Sequence, residues 1–267
     1  MTPSILTEEK PSSILTIFRA KIWMARWNLL LWAVFASVIT IACWRLFPGA
    51  LFWVDGGLRG ILLVCSVDFV LGPLLLIVVA NPAKSQRERR LDFLVLLSIQ
   101  ILAMAWGGWQ IYSQRPVAFS YTPDNVLLPL TMQEFNKQKL SPESLPASRL
   151  GDLPAFYVDL PVGQAFLAVR DNRIAVIAQA AFLKPLFSHE AQVLADMGRF
   201  ESYWAGEGKP AWEAWASRHG GLPPTSYRFI TLVGRYGLAI LILDQNKQLI
   251  GHIQLPDEML PAVLYRN

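Results

Sequence analysis

Residues 58–80 read LRGILLVCSVDFVLGPLLLIVVA. Crossing a bilayer takes about 20 consecutive apolar residues, and this run supplies them. Its one acid, Asp68, stands near mid-run, and Gly72-Pro73 follow a helical turn later. Comparable runs lie on either side, from Trp27 to Phe47 and from Leu91 to Tyr112. The expected fold is therefore a membrane protein with three transmembrane helices, over about 27–47, 58–80 and 91–112, followed by a small α+β domain. The first run is too long for a secretory signal, about 25 residues precede it, and no small-residue cleavage pattern follows.

Composition points the same way. Of 267 residues, 53% are hydrophobic and 16% charged, against about 25% charged in ordinary soluble domains. Disorder is excluded, since it requires low hydrophobicity and high net charge. Residues 1–113 carry 10 Lys/Arg against 6 Asp/Glu, and residues 114–267 carry 14 of each. The cationic excess thus sits in the apolar half, where it reads as topology and not as nucleic-acid binding. Lys10, Arg19, Lys21 and Arg26 precede the first run, and Lys84, Arg87, Arg89 and Arg90 lie between the second and third. The opposite flanks hold Arg45, Arg59 and Arg115. The excess of Lys/Arg predicts a cytoplasmic N-terminus and, with three spans, a periplasmic C-terminal part in a bacterial inner membrane.

The division expected is a cytoplasmic amphipathic segment over 1–26, a three-helix domain over 27–113, a periplasmic linker over 114–154, and the α+β domain over 155–267. In the first segment Ile14, Phe18 and Ile22 recur at helical spacing beside Arg19, Lys21 and Arg26. This suits either a helix in the headgroup region or an extension of the first span. In the last domain, 155–160, 164–169 and 174–179 read as strands, the latter two joined at Asp171-Asn172-Arg173. His189–Trp204 and Trp212–His219 read as helices, and Arg228–Val233, Leu238–Leu243 and Leu249–Gln254 as closing strands. Phe229–Leu243 is apolar but short, broken by Gly234 and Gly237 and charged at Arg235, which favours strands over a fourth span.

Catalytic patterns are lacking in the sequence. His189, His219 and His252 have no i, i+4 partner for a metal, and Cys43 and Cys65 belong to no C-x-x-C pair. Gly206-Glu207-Gly208-Lys209 lacks the upstream glycine of a phosphate loop. No enzyme, cofactor or metal is expected. Within the spans, Asp68 and Gln100 fall at similar depth on neighbouring antiparallel helices, and a carboxylate there demands a partner. Gly72, Pro73 and Gly107 would let another helix approach closely. Two readings stand side by side: an Asp68–Gln100 hydrogen bond joining two spans, or a polar site that captures a visiting helix. Trp204, Trp212 and Trp215 with Tyr203 form either a core cluster or a binding face.

Asp68-x3-Gly72-Pro73-Leu74-Leu75, then Pro82-x-Lys84, Asp92, Gln100, Trp106-Gly107 and Arg115-Pro116-Val117, resembles the TfpX/TfpZ family of type IV pilin accessory proteins. The likeness is best over about residues 60–120 and returns in 237–256, where Leu249-Ile250-Gly251-His252-Ile253 follows an Asp-led turn. After Arg-Pro-Val the chain departs from the pattern, with only Asp124 matching, and the segment before the first span is longer. The resemblance implies an inner-membrane protein that assists or modulates pilin assembly and display. A pilin or minor pilin would be its partner, alongside the lipid bilayer and other pilus-assembly membrane proteins. The pilin's apolar helix would be held near Asp68, Gly72, Pro73, Gln100 and Gly107, and its globular head by the outer domain. Two other classes remain: an extracytoplasmic binding or sensor protein signalling through a membrane partner, and an envelope enzyme built from Asp159, His189 and His252.

Overall fold

The computed structural model describes residues 30, 33–66, 85–122, 126–159, 179–190, 193, 200–220 and 222–255. Its helices are α1 (Ala33–Leu46), α2 (Leu51–Val54), α3 (Gly57–Ser66), α4 (Gln86–Ser113), α5 (Met132–Lys137), α6 (Glu201–Ala205) and α7 (Lys209–His219). The strands are β1 (Pro116–Tyr121), β2 (Val126–Thr131), β3 (Ser148–Leu150), β4 (Leu153–Val158), β5 (Leu183–Pro185), β6 (Arg228–Val233), β7 (Leu238–Leu243) and β8 (Leu249–Leu255).

The three-span expectation is corrected here. Among the described residues one helix, α4, is long and apolar enough to cross a membrane, with 28 residues and a mean hydropathy of 1.7 over an 18-residue stretch. At about 1.5 Å per residue it is some 42 Å long. The apolar helices α1 and α3 each have between 10 and 17 residues. Residues 27–29, 31–32 and 67–80 of the expected spans lie outside the described residues, and α1 stops before Pro48 and Gly49, the latter at φ +60. The apolar residues that follow are then used inside a folded unit. Phe47, Ala50, Leu51, Phe52 and Val54 are all buried. The multi-pass inner-membrane placement falls with the three spans. So does the periplasmic assignment of the C-terminal part, which was read from an odd number of crossings.

The described residues divide into two units. The first comprises the described parts of Met1–Thr40 and Leu62–Met104; these are helical. The second comprises Ile41–Ile61 and the described parts of Ala105–Asn267. It is built on a mixed eight-stranded sheet in the order β3-β4-β1-β2-β6-β7-β8, with β5 paired to β4. β1–β2, β3–β4, β4–β5, β6–β7 and β7–β8 are antiparallel, while β1–β4 and β2–β6 are parallel. The sheet replaces the small α+β domain expected from residue 155. β1, β2, β3 and the start of β4 all fall within 114–154, and β1 and β2 are interior strands. Pro and Ser residues there mark turns between short elements.

Among the described residues two hydrophobic clusters pack on this sheet, and the strand register places both on the same face. Ala118, Leu130, Phe135, Phe156, Val158 and Leu183 form one. Phe135 reaches it from α5, which starts at a capping box: the Thr131 N–H donates to Glu134 Oε2 at 2.6 Å, and the Glu134 N–H donates to Thr131 Oγ1 at 3.4 Å. The other core joins Trp204, Trp212 and Trp215 to Phe229, Leu238, Ile240, Ile242, Ile253 and Leu255. α7 ends at Gly220, whose φ of +96 provides the left-handed turn a helix C-terminus favours. All six residues of β7 are buried, as a strand covered on both faces requires. The expected strands 164–169 and 174–179, the N-terminal segment 1–26 and most of the 189–204 helix lie outside the described residues.

Candidate functional site

α4 presents an apolar surface that its own fold leaves uncovered. Leu97, Gln100, Met104, Gly107, Gly108 and Ile111 are half-buried and recur at helical spacing, forming one stripe. Val95, Ile99, Leu102, Trp106 and Trp109 are exposed on the opposite face of the helix, with Leu102 at 70% and Trp106 at 68%. Contiguous apolar exposure of this extent marks a surface that another apolar body covers. Of the residues expected to form an intramembrane site, Gln100 and Gly107 lie on the stripe, two turns apart on one face of α4. Asp68, Gly72 and Pro73 lie outside the described residues, so the Asp68–Gln100 pairing is not among the contacts described.

The C-terminal end of α4 is fastened to the sheet by a cluster that sequence reasoning missed. Asp55 sits between α2 and α3 with its side chain fully enclosed. Arg235, in the turn joining β6 to β7, donates from Nε to Asp55 Oδ1 at 3.0 Å and from Nη2 to Oδ2 at 3.2 Å. Its remaining contacts go to the end of α4: Nη1 to Gln114 Oε1 at 2.7 Å, and Nη2 to the Gln114 carbonyl at 3.0 Å. One guanidinium therefore joins three segments, a use of the planar fork that an ammonium could not reproduce. Burial pushes the Asp55 carboxyl above its ordinary range, although the Arg235 charge pulls the other way. For Arg235 burial acts downward, but the Asp55 hydrogen bond and charge outweigh it and hold the guanidinium above its usual value.

Backbone contacts complete the clamp. The Tyr236 N–H donates to the Val54 carbonyl at 2.8 Å. A Cβ at Gly234 would overlap that same carbonyl, so only glycine lets the two backbones meet. The Arg59 guanidinium lies 4.7 Å from the centre of the Tyr236 ring. The available signal was a pair of isolated, opposite charges in apolar surroundings, Asp55 in WVDGG and Arg235 in Phe229–Leu243.

The other candidates resolve toward structure. Trp204, Trp212 and Trp215 are each at most 6% exposed and form the larger core, not a binding face. His189 stacks on Tyr157 at 4.1 Å, and His219 stacks on Trp215 at 4.5 Å. His252 is on β8, where burial lowers its pKa. Among the described residues no three His, Cys, Asp or Glu side chains cluster as metal ligands would.

Against known proteins the chain finds matches of one kind. It is 32% identical over 118 residues to the fimbrial assembly protein, serogroup I, of Dichelobacter nodosus, covering 44% of this chain and 42% of that protein. The relatives are fimbrial assembly proteins. The serogroup E1 protein of the same organism is 32% identical over 117 residues, with the same shares of each chain. The protein of serogroups C1 and C2 is 33% identical over 73 residues, 27% of this chain and 56% of that one. The chain thus spans less than half the length of the first two relatives. No family model and no solved structure matches.

Proposed function

We propose that this protein assists the assembly of type IV fimbriae by binding a pilin or minor pilin, in the manner of the TfpX/TfpZ accessory proteins. The observation that carries the reading is the 32% identity over 118 residues to a fimbrial assembly protein. The uncovered apolar surface of α4 supplies a physical means. A pilin subunit offers an apolar helix, and burying one apolar helix on another gains about 25 cal/mol for each Å² removed from water. Leu102 and Trp106 stand on that exposed face, whereas Gln100 and Gly107 lie on the half-buried one. The Arg235 cluster fastens the last turn of α4 to the sheet. On this reading the protein works by binding and performs no turnover.

The test is complementation of a deletion strain with the wild-type gene and with variants carrying Asp at Leu102 and Trp106. Surface fimbriae, counted by electron microscopy, should return with the wild type and stay low with the variants at equal protein level. Full fimbriation in the deletion strain itself would overturn the assignment.

A further inference from the structure

Among the described residues β8 forms one end of the sheet, and its outer edge is built unlike the other end. Among the described residues it pairs only with β7. Folded proteins shield strand edges by making them short, charged or proline-bearing. β3, at the opposite end, is three residues long. β8 is seven residues long, reads LIGHIQL, and contains no proline, lysine or acid. The register irregularity lies at Ile242/Leu243, so residues 251–255 run in regular register and every second one turns its N–H and C=O outward.

Beside this edge lies a cleft of about 440 Å³. One wall is α7, through Ala211, Ala214, Trp215 and Arg218 at helical spacing; the other is residues 251–254 of β8. Ile253 and Leu255 enter the core with Trp212 and Trp215, and a Cβ on Gly251 would meet the Trp215 indole at 2.8 Å. Alternation along the strand therefore sends the His252 and Gln254 side chains to the opposite face. Those two residues meet the cleft through their main chain, which rules against a two-histidine metal site and leaves a wall of backbone amides and carbonyls. The single formal charge in the lining is that of Arg218, at the C-terminal end of α7, with His219 beside it. The Arg218 Nε–H donates to the Ala214 carbonyl at 2.9 Å, which fixes the guanidinium at the cleft.

We propose that the edge of β8 takes up an extended, carboxylate-bearing polypeptide segment as an added strand, with alternate side chains entering the cleft beside α7 and the carboxylate meeting Arg218. Backbone pairing would supply affinity, and the cleft and the cation selectivity, as in other strand-addition sites. The inference stands on the sheet edge alone and does not require the fimbrial role.

The probe is a pool of dye-labelled seven-residue peptides, with Val alternating with Thr, Ser or Ala, titrated against the full chain by fluorescence anisotropy. One arm carries an internal Asp and an amidated end, a second a free C-terminus and no Asp, and a third Lys in place of Asp. Saturable binding of either acidic arm, lost when alternate peptide amides are N-methylated in one register but kept in the other, is the expected result. The arm that binds tells a side-chain carboxylate from a terminal one. Arg218→Glu should weaken the acidic arm at least about tenfold and favour the Lys arm. Absence of saturable binding below about 1 mM, equal binding of the methylated and unmethylated peptides, or indifference to Arg218→Glu overturns the proposal.

Discussion

Arg235 and Asp55 stand 180 positions apart in the chain and meet through three hydrogen bonds, Nε to Oδ1 at 3.0 Å, Nη2 to Oδ2 at 3.2 Å and the Arg235 N–H to Oδ1 at 3.4 Å. The carboxylate is enclosed, while the guanidinium keeps 37% of its side-chain surface. The pair joins distant parts of the sheet unit and places the end of α4 through Gln114.

Removing the guanidinium leaves a buried carboxylate with no counter-charge. Arg235→Ala should destabilise the sheet unit by on the order of 3 kcal/mol at pH 7, the low end for a broken buried pair because Arg235 still reaches water. The check is the urea midpoint followed by tryptophan fluorescence. Asp55→Asn, which keeps the shape and removes the charge, should cost less than Arg235→Ala. The reverse order would refute this account of the cluster.

The pH response has a definite sign. The Asp55 carboxyl is raised in the folded state, so folding favours its protonated form. Stability tied to this group is full below the ordinary carboxylate range and declines as pH rises through the raised value. In Arg235→Ala the counter-charge is gone and the carboxyl rises further. The stability deficit of that variant relative to wild type should therefore shrink as pH is lowered from 7 to 5. A deficit that grows on acidification would contradict the assignment.

Gly234 is a steric requirement. A Cβ there would overlap the Val54 carbonyl and lie 2.8 Å from Val54 Cγ2. Gly234→Ala should cost about 1–3 kcal/mol, the usual penalty of overpacking, read as a lowered melting temperature. Gly108, where a Cβ meets nothing within 4 Å, is the control. Gly108→Ala should be neutral or slightly stabilising, since alanine is the better helix former.

The aromatic core makes a separate prediction. Trp212 packs edge-on to Phe229 at 5.8 Å and against Trp204 at 5.6 Å. Trp212→Ala should cost about 3–5 kcal/mol and leave peptide uptake at β8 testable only in the conservative Trp212→Phe. A loss below 1 kcal/mol would show that the cluster is not the core of the unit.

Local pattern made much of the C-terminal sheet legible. β6, β7 and β8 follow from apolar runs cut by Gly234–Gly237 and by Asp244-Gln245-Asn246-Lys247. α7 follows from the stripe of Trp212, Trp215 and His219. What local pattern does not carry is pairing. β1 joins β4, and β2 joins β6, in parallel across long insertions, so 114–154 reads as a linker although it supplies interior strands. Of the run 58–80, residues 67–80 lie outside the described residues, and one long apolar helix is found among the described ones. Hydropathy scores composition and not contacts, so it does not show that Phe47, Ala50, Leu51, Phe52 and Val54 bury inside a folded unit. The Arg235 cluster stayed hidden for the same reason: its members are 121 and 180 positions apart.

The central claim is that the uncovered surface of α4 receives a pilin. The most direct measurement is photocrosslinking from a benzophenone amino acid at Leu102, in cells producing fimbriae, with products identified by mass spectrometry. The account predicts a pilin or minor pilin as the main product, attached through its apolar helix, and loss of that product when Trp106 on the same face is changed to Asp. Crosslinks confined to lipid or to a second copy of this chain would contradict it.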